Sequence, residues 1–443
     1  MKRVPAAVAL LAAIALPASI ATAAPPTNKQ TTTQQATTPQ TTSPIPALTR
    51  AAHPLVSTEP SDNAWDLRPL MQMVGTAKVV GVGEATHNSH EFFTLKHRIF
   101  QTLVERKGFT AFVLEASWST GLELDRYVVS GVGDPREIMR REFQDAYKFW
   151  NAQEYLDLIE WMRDYNRTHT RKLRFVGDDV GYASPALIER VVNADPTLAP
   201  QLTRLYAGIR SDSEYKDWST AYFAKPLSER QAIEASAREA LALVQRTNDR
   251  WAVQHARAIW QTAKLYSFDV ENPNELPKAM VFRDQAMADN TAWWTRATGD
   301  KAVLSAHNGH IGYDSSMPSH YPKIQGAFLR DQLGKDYVNV GFTFDSGSFN
   351  ANDTEDPQGR LRTFTIPSAP SGNNEYTLDR VPYRDYLVDL RTLPKATKDW
   401  LNVARPTRDI GTAYPWPDLP VNLGKSYDVL IHLNRVTAAH LLL

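Results

Sequence analysis

Six short apolar runs, separated by segments of helical periodicity, constrain the fold of this chain more than any other feature. They span residues 78–84, 109–116, 173–179, 302–306, 337–344 and 428–433. Strands that are buried on both faces have continuous apolar runs of this kind, and helices between such strands are typical of parallel sheets. We therefore predict an α/β fold with a mostly parallel central sheet and flanking helices.

Two stretches carry helix signals. Between the first two runs, Phe92, Leu95, Ile99 and Leu103 recur at helical spacing on one face. Asn88, with Glu91 three residues later, resembles a capping box that would begin this helix. Residues from about 185 to 297 carry almost only helix signals, with Ser228 and Gln231 as a second capping pair. We predict that this long stretch forms a helical subdomain beside the sheet.

The N-terminus has the pattern of a secretory signal peptide. Lys2 and Arg3 supply positive charge, residues 6–20 are apolar but short for a membrane span, and residues 21–23 (Ala-Thr-Ala) form an A-x-A cleavage site. We predict a signal peptide at residues 1–23, with an uncleaved anchor as the alternative. The mature protein is then expected to be exported, either periplasmic or secreted, and free of the membrane.

Composition predicts the rest of the domain organisation. Residues 24–46 are Thr, Gln, Pro and Ser with almost nothing to bury, which indicates a disordered linker. Residues 47–443 are predicted to form the folded domain. Within it, residues 350–374 are rich in Asp, Asn, Pro, Ser and Gly, which predicts a loop.

Charge and residue counts exclude several classes of protein. The 49 Lys and Arg residues balance 49 Asp and Glu residues, which argues against a nucleic-acid binder. The chain has no cysteine, so disulfides, zinc-thiolate sites and a cysteine nucleophile are excluded. It also lacks a G-x-S-x-G nucleophile elbow, a P-loop and a complete dinucleotide fingerprint.

Ionisable residues follow four of the predicted strands. They are Glu84 and His87 after the first strand, Glu115 near the end of the second, Asp178 and Asp179 at the end of the third, and His307 and His310 after the run at 302–306. Each feature alone is commonly a helix cap or an ordinary hydrogen-bonded residue. Because ligands of open α/β sheets bind beyond the carboxyl ends of the strands, their conjunction predicts an active site.

Glutamate and histidine together suit general acid–base chemistry. Imidazole titrates near neutral pH and a carboxylate can orient it, so hydrolysis by an activated water is the first interpretation. The same histidines and glutamates are also an adequate ligand set for zinc or iron, which leaves a metal-dependent hydrolase as an alternative. An exported protein that binds haem or another small molecule is the alternative from a different class.

Several motifs resemble the erythromycin esterase family. They are GVGEATHNSHEF, FTAFVLEAS, RFVGDD, RDQAMADN, AHNGHIG and LRDQLGKDYVNVGFTF, in order from about residue 79 towards the C-terminus. The resemblance implies hydrolysis of the macrolactone ester of macrolide antibiotics, an antibiotic-resistance activity, without a metal or other cofactor. By motif, His87 resembles the base that activates water and Glu84 and Glu115 its carboxylate partners. His307 and His310 resemble the pair that faces this base across the cleft.

The resemblance extends to four further residues. Lys96 stands where the family has a basic residue, often Arg, and it can supply charge to an oxyanion but not the bidentate fork of a guanidinium. Arg283 and Asp284 of the RDQAMADN motif, together with Asp179, are expected to line the substrate pocket, and a helix-surface ion pair is the alternative for the first two. The expected partner is a small-molecule ester, with a macrolide lactone as one candidate.

Overall fold

A computed structural model of the protein describes residues 43–61 and 63–442. The predicted signal peptide and most of the predicted linker lie outside the described residues. The first described helix, α1 (Ile45–Ala51), covers the last two residues assigned to the linker. Within the described ranges, no helix is long and apolar enough to cross a membrane.

Strands and helices alternate along most of the described chain. The strands are β1 (His53–Pro54), β2 (Val79–Val82), β3 (Ala111–Ser117), β4 (Arg174–Asp179), β5 (Ala302–Ser305), β6 (Tyr337–Asp353), β7 (Leu361–Ile366), β8 (Asp385–Asp389), β9 (Arg405–Thr407), β10 (Ala413–Tyr414), β11 (Leu419–Val421) and β12 (Val429–Val436). The further α-helices are α2 (Arg68–Val74), α3 (His90–Lys107), α4 (Trp118–Ser130), α5 (Pro135–Glu142), α6 (Gln153–Thr168), α7 (Pro185–Val192), α8 (Ala199–Tyr206), α9 (Tyr215–Phe223), α10 (Leu227–Val244), α11 (Arg250–Tyr266), α12 (Leu276–Thr298), α13 (Asn308–Ile311), α14 (Gln325–Leu333), α15 (Asn374–Leu378), α16 (Lys395–Leu401) and α17 (Leu423–Ser426). Short 3-10 helices occupy Trp65–Leu67, Asp145–Trp150, Gly334–Asp336 and Leu390–Thr392.

The strands form one large mixed sheet in the order β1-β8-β12-β6-β2-β5-β3-β4, and β7 and β10 also pair with β6. All neighbours from β12 to β4 are parallel, whereas β8 and β1 join antiparallel at one edge. Strands β9 and β11 form a separate antiparallel pair. The predicted α/β fold with a mostly parallel sheet is confirmed, and all six predicted strands are present.

Burial on both faces explains why these strands could be predicted. Every residue of β2, β3 and β5 is buried, which is the environment that favours continuous apolar runs. Between β4 and β5 the described chain contains no strand, only helices α7 to α12, in the region predicted to be helical. Helix α12 packs against β4 and thereby reaches the edge of the sheet where the predicted site residues lie.

Both predicted capping boxes are wrong. Helix α3 begins at His90, and the residue before it makes no side-chain cap. The side chain of Asn88 instead donates to the carbonyl of Phe149 and accepts from Asn350, because it is buried beside both. Helix α10 begins after Pro226, so Ser228 lies inside the helix rather than before it.

The predicted loop at residues 350–374 is wrong for residues 350–353 and 361–366, which form strands. Strand β6 continues to Asp353, and β7 returns antiparallel to it as a hairpin. The polar side chains that suggested a loop are satisfied across this hairpin, since the hydroxyl of Thr363 donates to the amide oxygen of Asn350. Only the turn between the two strands and the segment after β7 match the prediction.

Candidate active site

Four neighbouring strands, β2, β5, β3 and β4, bring their carboxyl ends to one edge of the sheet. Glu84 and His87 follow β2, His307 follows β5, and Asp179 is the last residue of β4. Glu115 lies in β3 where the pairing with β4 shifts register between Leu114 and Ser117. Such a bulge re-aims a side chain, and here it turns Glu115 towards the residues after β5.

The turn after β2 places Glu84 between two basic side chains. Its Oε1 atom is 2.7 Å from Nδ1 of His87, and its Oε2 atom is 2.5 Å from Nζ of Lys96 on α3. The ammonium of Lys96 also donates to the carbonyl of Ala306 at 3.4 Å. All three side chains are buried, so Lys96 lies behind Glu84 and its charge reaches His87 through this carboxylate.

Asn308 fixes the loop after β5 against its neighbours. The side-chain NH₂ of Asn308 donates to the carbonyl of Phe342 at 2.7 Å, and its side-chain oxygen accepts from the N–H of Phe342 at 3.0 Å. Its own N–H donates to the carbonyl of Glu84 at 2.9 Å. Gly83 makes room for this arrangement, because a Cβ atom there would lie 2.2 Å from Oδ1 of Asn308. A backbone hydrogen bond thus joins the loop after β5 to the loop after β2, and the Asn308 side chain anchors the former to β6.

A second ion-pair network centres on Glu115 and Arg283. The guanidinium donates to Asp179 through Nε at 3.0 Å and Nη2 at 2.7 Å, and Nη2 is also 3.0 Å from Oε1 of Glu115. The other carboxylate oxygen of Glu115 accepts from the backbone N–H of His307 at 3.0 Å. Arg283 and Asp284 are both buried, so they do not form the helix-surface ion pair that was the alternative for them, and Arg283 pairs with Asp179 and Glu115 instead.

His310 is enclosed by two carboxylates. Its Nδ1 atom is 2.7 Å from Oδ1 of Asp284, and its Nε2 atom is 3.2 Å from Oε1 of Glu115. Burial opposes the charged ring, but Asp284 and Glu115 together raise the pKa of His310 to about 10. Nε2 is also 3.3 Å from Nη1 of Arg283. A guanidinium can only donate, so this contact alone would suit a neutral ring whose Nε2 accepts. Two nearby carboxylates outweigh this one contact, and His310 is a cation at neutral pH.

His307 and Asp409 face each other with unsatisfied atoms. The Nδ1 atom of His307 accepts from the N–H of Gly309 at 3.1 Å, so Nε2 carries the ring proton. This Nε2 atom is 3.3 Å from Oδ1 of Asp409, but neither atom has a hydrogen-bond partner among the described residues. Burial, followed by the nearby His87, holds the pKa of His307 well below its usual range, and burial raises the pKa of Asp409 to about 7.

A small cleft opens beside these residues. Its empty space measures about 390 Å³ when the open solvent at its mouth is included. The residues that line it are His307, Gly309, His310, Ser315, Ser316, Met317, Tyr321, Asp409 and Leu419. The ring of His87 stands nearby, 4.9 Å from the ring of His307, and packs against Trp150 and Phe149 at 5.5 and 5.9 Å between centroids.

Asp178 is excluded from this site by the geometry of β4. Because successive side chains of a strand point to opposite faces, Asp178 points away from Asp179. It accepts from the hydroxyl of Thr291 at 2.8 Å and from the amide of Gln325 at 2.6 Å. Burial holds the pKa of Asp178 well above its usual value, and its contacts with Thr291 and Gln325 indicate a structural role.

The nine residues predicted for the site form one connected network. The chain of contacts runs from Lys96 through Glu84, His87, His307, Glu115, Arg283 and His310 to Asp179 and Asp284. Sequence reasoning missed Asp409, Trp150 and Phe149. Asp409 lies in an irregular segment between two short strands, and the aromatic pair lies on a 3-10 helix, so neither follows a recognisable strand.

The comparisons with known proteins agree with this architecture. A sequence profile described as Erythromycin esterase matches residues 104–436. Erythromycin esterase type II of Escherichia coli is 24% identical over 387 residues, which cover 80% of this chain and 90% of that protein. A solved structure titled as a succinoglycan biosynthesis protein is 29% identical with a TM-score of 0.80, covering 90% of this chain and 98% of that one. A mutant of the erythromycin esterase EreC in its open conformation shares the fold, with a TM-score of 0.64 and 19% identity over 87% of this chain and 97% of that one.

Proposed function

The chain belongs to the erythromycin esterase family, and on this premise we propose that it is an exported hydrolase that cleaves a carboxylic ester of a small molecule with a water activated by His87, without a metal. The family supports hydrolase activity in general. The choice of base, the independence of metal and the export are parts of the proposal. A macrolide lactone is the first candidate substrate because of the family.

One observation carries the proposed mechanism, the 2.7 Å contact between Glu84 and Nδ1 of His87. The carboxylate accepts a hydrogen bond from Nδ1–H of His87, so the ring proton stays on Nδ1 and the lone pair lies on Nε2. Among the described residues, no hydrogen bond occupies Nε2. Nε2 can therefore take a proton from water while the water oxygen attacks the ester carbonyl carbon. When the tetrahedral intermediate collapses, the ester C–O bond breaks, and the imidazolium returns the proton to the departing alkoxide.

His307 is the best-placed donor for the developing oxyanion. Its ring is neutral, its Nε2 carries a proton, and that N–H is buried without a partner at the edge of the cleft. A donor held in this way needs no reorganisation when negative charge appears on the carbonyl oxygen. In this proposal Lys96 acts as a positioning residue for His87 rather than directly on the oxyanion, because its ammonium group contacts Glu84.

The charges within the cluster support the metal-free part of the proposal. Lys96 and Arg283 pair with Glu84 and Glu115, and their nitrogen atoms occupy carboxylate oxygens that a metal ion would need. A further cation among these groups would meet repulsion from Lys96, Arg283 and the charged His310. The nine residues contain no group of three candidate ligand atoms within 4.8 Å of one another.

The size of the cleft bears on the substrate. The enclosed part of the cleft measures about 30 Å³, far below the roughly 300–1,000 Å³ of pockets that hold drug-sized ligands. Met317, Tyr321 and Leu419 give it apolar walls, and Ser315 and Ser316 add polar ones. A cleft of this size favours an ester with a compact group at the scissile bond. It does not favour a ligand that the protein would enclose completely.

The test is a hydrolysis panel on the purified protein that begins at residue 24. Short-chain aryl and alkyl esters and macrolides of different ring size are incubated with enzyme, with and without a chelator, and mass spectrometry follows the addition of one water. The proposal expects at least one ester to be hydrolysed at a rate that chelation does not change, and expects His87→Asn to abolish it. Loss of activity on chelation, restored by one metal ion, would favour the metal-dependent alternative.

The intact mass of protein from the native host tests cleavage after residue 23.

A further inference from the structure

A second cluster of histidine and carboxylate side chains lies apart from the proposed active site. It consists of His90, Glu154 and His440, each of which offers one ligand atom, and these atoms all lie within 4.8 Å of one another. His90 is the first residue of α3, Glu154 is the second residue of α6, and His440 lies in the tail after β12. None of the three belongs to the network around His87.

The two imidazoles converge on one carboxylate oxygen. Nδ1 of His90 is 2.6 Å and Nδ1 of His440 is 2.8 Å from the same Oε1 atom of Glu154. The rings are nearly perpendicular, at 87°, with centroids 5.3 Å apart. Three donor atoms from three distant parts of the sequence thus point to one small volume, as the ligands of a metal ion do.

A further contact resembles the outer shell of a metal site. The other ring nitrogen of His90, Nε2, is 2.9 Å from Oε1 of Glu59. Metal-binding histidines usually donate their second N–H to a carboxylate in this way, which fixes the ring and the tautomer. The backbone N–H of His440 also donates to Glu154, so the tail is held in place without its side chain.

We propose that His90, Glu154 and His440 form a binding site for Zn²⁺ or a similar divalent transition metal, with Glu59 orienting His90. Two histidines and one glutamate are a ligand set that zinc accepts, with the fourth position left to water. The metal would replace the protons of the two Nδ1 atoms that now face Glu154. The two nitrogen atoms would move away from the carboxylate oxygen by roughly 0.5–0.8 Å to reach the ligand spacing of a tetrahedral zinc site. The 72% exposure of the His440 side chain allows this movement.

The site would clamp the C-terminal tail to the body of the protein. Ala438 and Leu441 already pair with Ser89 and Ala152, and the N–H of Gln153 donates to the carbonyl of His440 at 2.8 Å. A metal at this place would join the tail to the starts of α3 and α6. Because a ligand that binds only the folded state stabilises it by mass action, Zn²⁺ should raise the melting temperature.

Zn²⁺ titration of the chelator-treated protein tests the proposal. Calorimetry is expected to give one saturable site per chain, and thermal unfolding is expected to shift upwards with Zn²⁺ concentration. His440→Ala should remove both effects while circular dichroism and metal-free unfolding stay close to wild type, because the side chain is largely exposed. Glu59→Gln, also at an exposed residue, should weaken binding by about 10–100-fold, the usual effect of an outer-shell partner.

The matched control is His320→Ala, since His320 is exposed and its ring hydrogen-bonds the hydroxyl of Ser319. It should leave Zn²⁺ affinity and the thermal shift unchanged. Absence of a saturable site in wild type, or equal affinity in the His440→Ala and His320→Ala proteins, would overturn the proposal. Loss of affinity in both variants would indicate nonspecific binding by surface histidines and would overturn it as well.

Discussion

The side chains of Glu84 and Lys96 form an ion pair, with Oε2 and Nζ 2.5 Å apart and both groups almost completely buried. Burial lowers the pKa of Lys96, and the charge of Glu84 opposes that effect. Each charge therefore depends on the other to remain inside the protein. Since the second oxygen of Glu84 holds His87, the pair couples the stability of the fold to the proposed catalytic base.

Replacement of Lys96 by Met should destabilise the protein, because it leaves the carboxylate of Glu84 buried beside an apolar side chain. Breaking a buried pair in this way costs about 3–5 kcal/mol of unfolding free energy. The double variant Lys96→Met with Glu84→Gln should recover part of the loss, since no unpaired charge remains. Urea unfolding of the two single variants and the double variant measures the coupling free energy between Lys96 and Glu84. Lys395→Met, at an exposed pair on α16, is the control and should change stability little.

Asp409 should make stability depend on pH in a predictable direction. Burial raises its pKa to about 7 in the folded protein, against 3.8 for an ordinary aspartate. Between these values the folded state holds a proton that the unfolded state has released, so the free energy of unfolding falls as pH rises from about 4 to 7 and stays lowered above. Asp409→Asn should remove up to about 4 kcal/mol of this dependence, at 1.36 kcal/mol per pKa unit.

Chemical unfolding at several pH values between 4.5 and 8 compares the Asp409→Asn variant with wild type. The variant should gain stability relative to wild type as pH rises. Asp212→Asn, at an exposed aspartate, serves as the control and should follow wild type throughout. A constant difference between Asp409→Asn and wild type across the range would contradict the assignment of a raised pKa.

The central strands could be predicted because burial on both faces leaves a continuous apolar signal. β8 had no such signal, since only three apolar residues separate its two terminal aspartates. Its place between β1 and β12 depends on antiparallel pairing with distant segments. The capping boxes failed for a related reason: the Asn88 side chain bonds to Asn350, a partner 262 residues away that no local pattern reveals.

The strand-end rule located Glu84, His87, Glu115 and the histidines after β5, because the sheet order makes β2, β5, β3 and β4 neighbours. Arg283 and Asp284 lie on a helix, where charged residues are common, and only family resemblance pointed to them. Asp409 could not have been found in either way. It reaches the site through an irregular segment held by a backbone bond from Ile410 to the carbonyl of Ala85.

His307 offers a test of the oxyanion assignment. Its Nε2–H is buried and unpaired, and removal of one such donor typically costs about 10²–10³ in kcat. We expect His307→Ala to lose activity on this scale with little change in KM. Tyr321→Phe provides a control at another wall of the cleft, where no donor is assigned to the oxyanion. Activity of His307→Ala within a few-fold of wild type would exclude His307 as the donor.

Replacement of His87 by Asn should abolish most turnover while leaving the fold and substrate binding intact. Positioned proton transfer contributes about 10²–10⁴ in rate, and the imidazole acts only as charge develops, so kcat should fall and KM should change little. Steady-state kinetics on an ester from the panel, with circular dichroism of each protein, measures this. His320→Asn, at an exposed histidine far along the sequence, should retain full activity.

If folded His87→Asn hydrolyses the ester within a few-fold of wild type, His87 is not the base. The water would then have to be activated by Asp409, whose pKa of about 7 and unpaired oxygen beside His307 suit a base at the cleft.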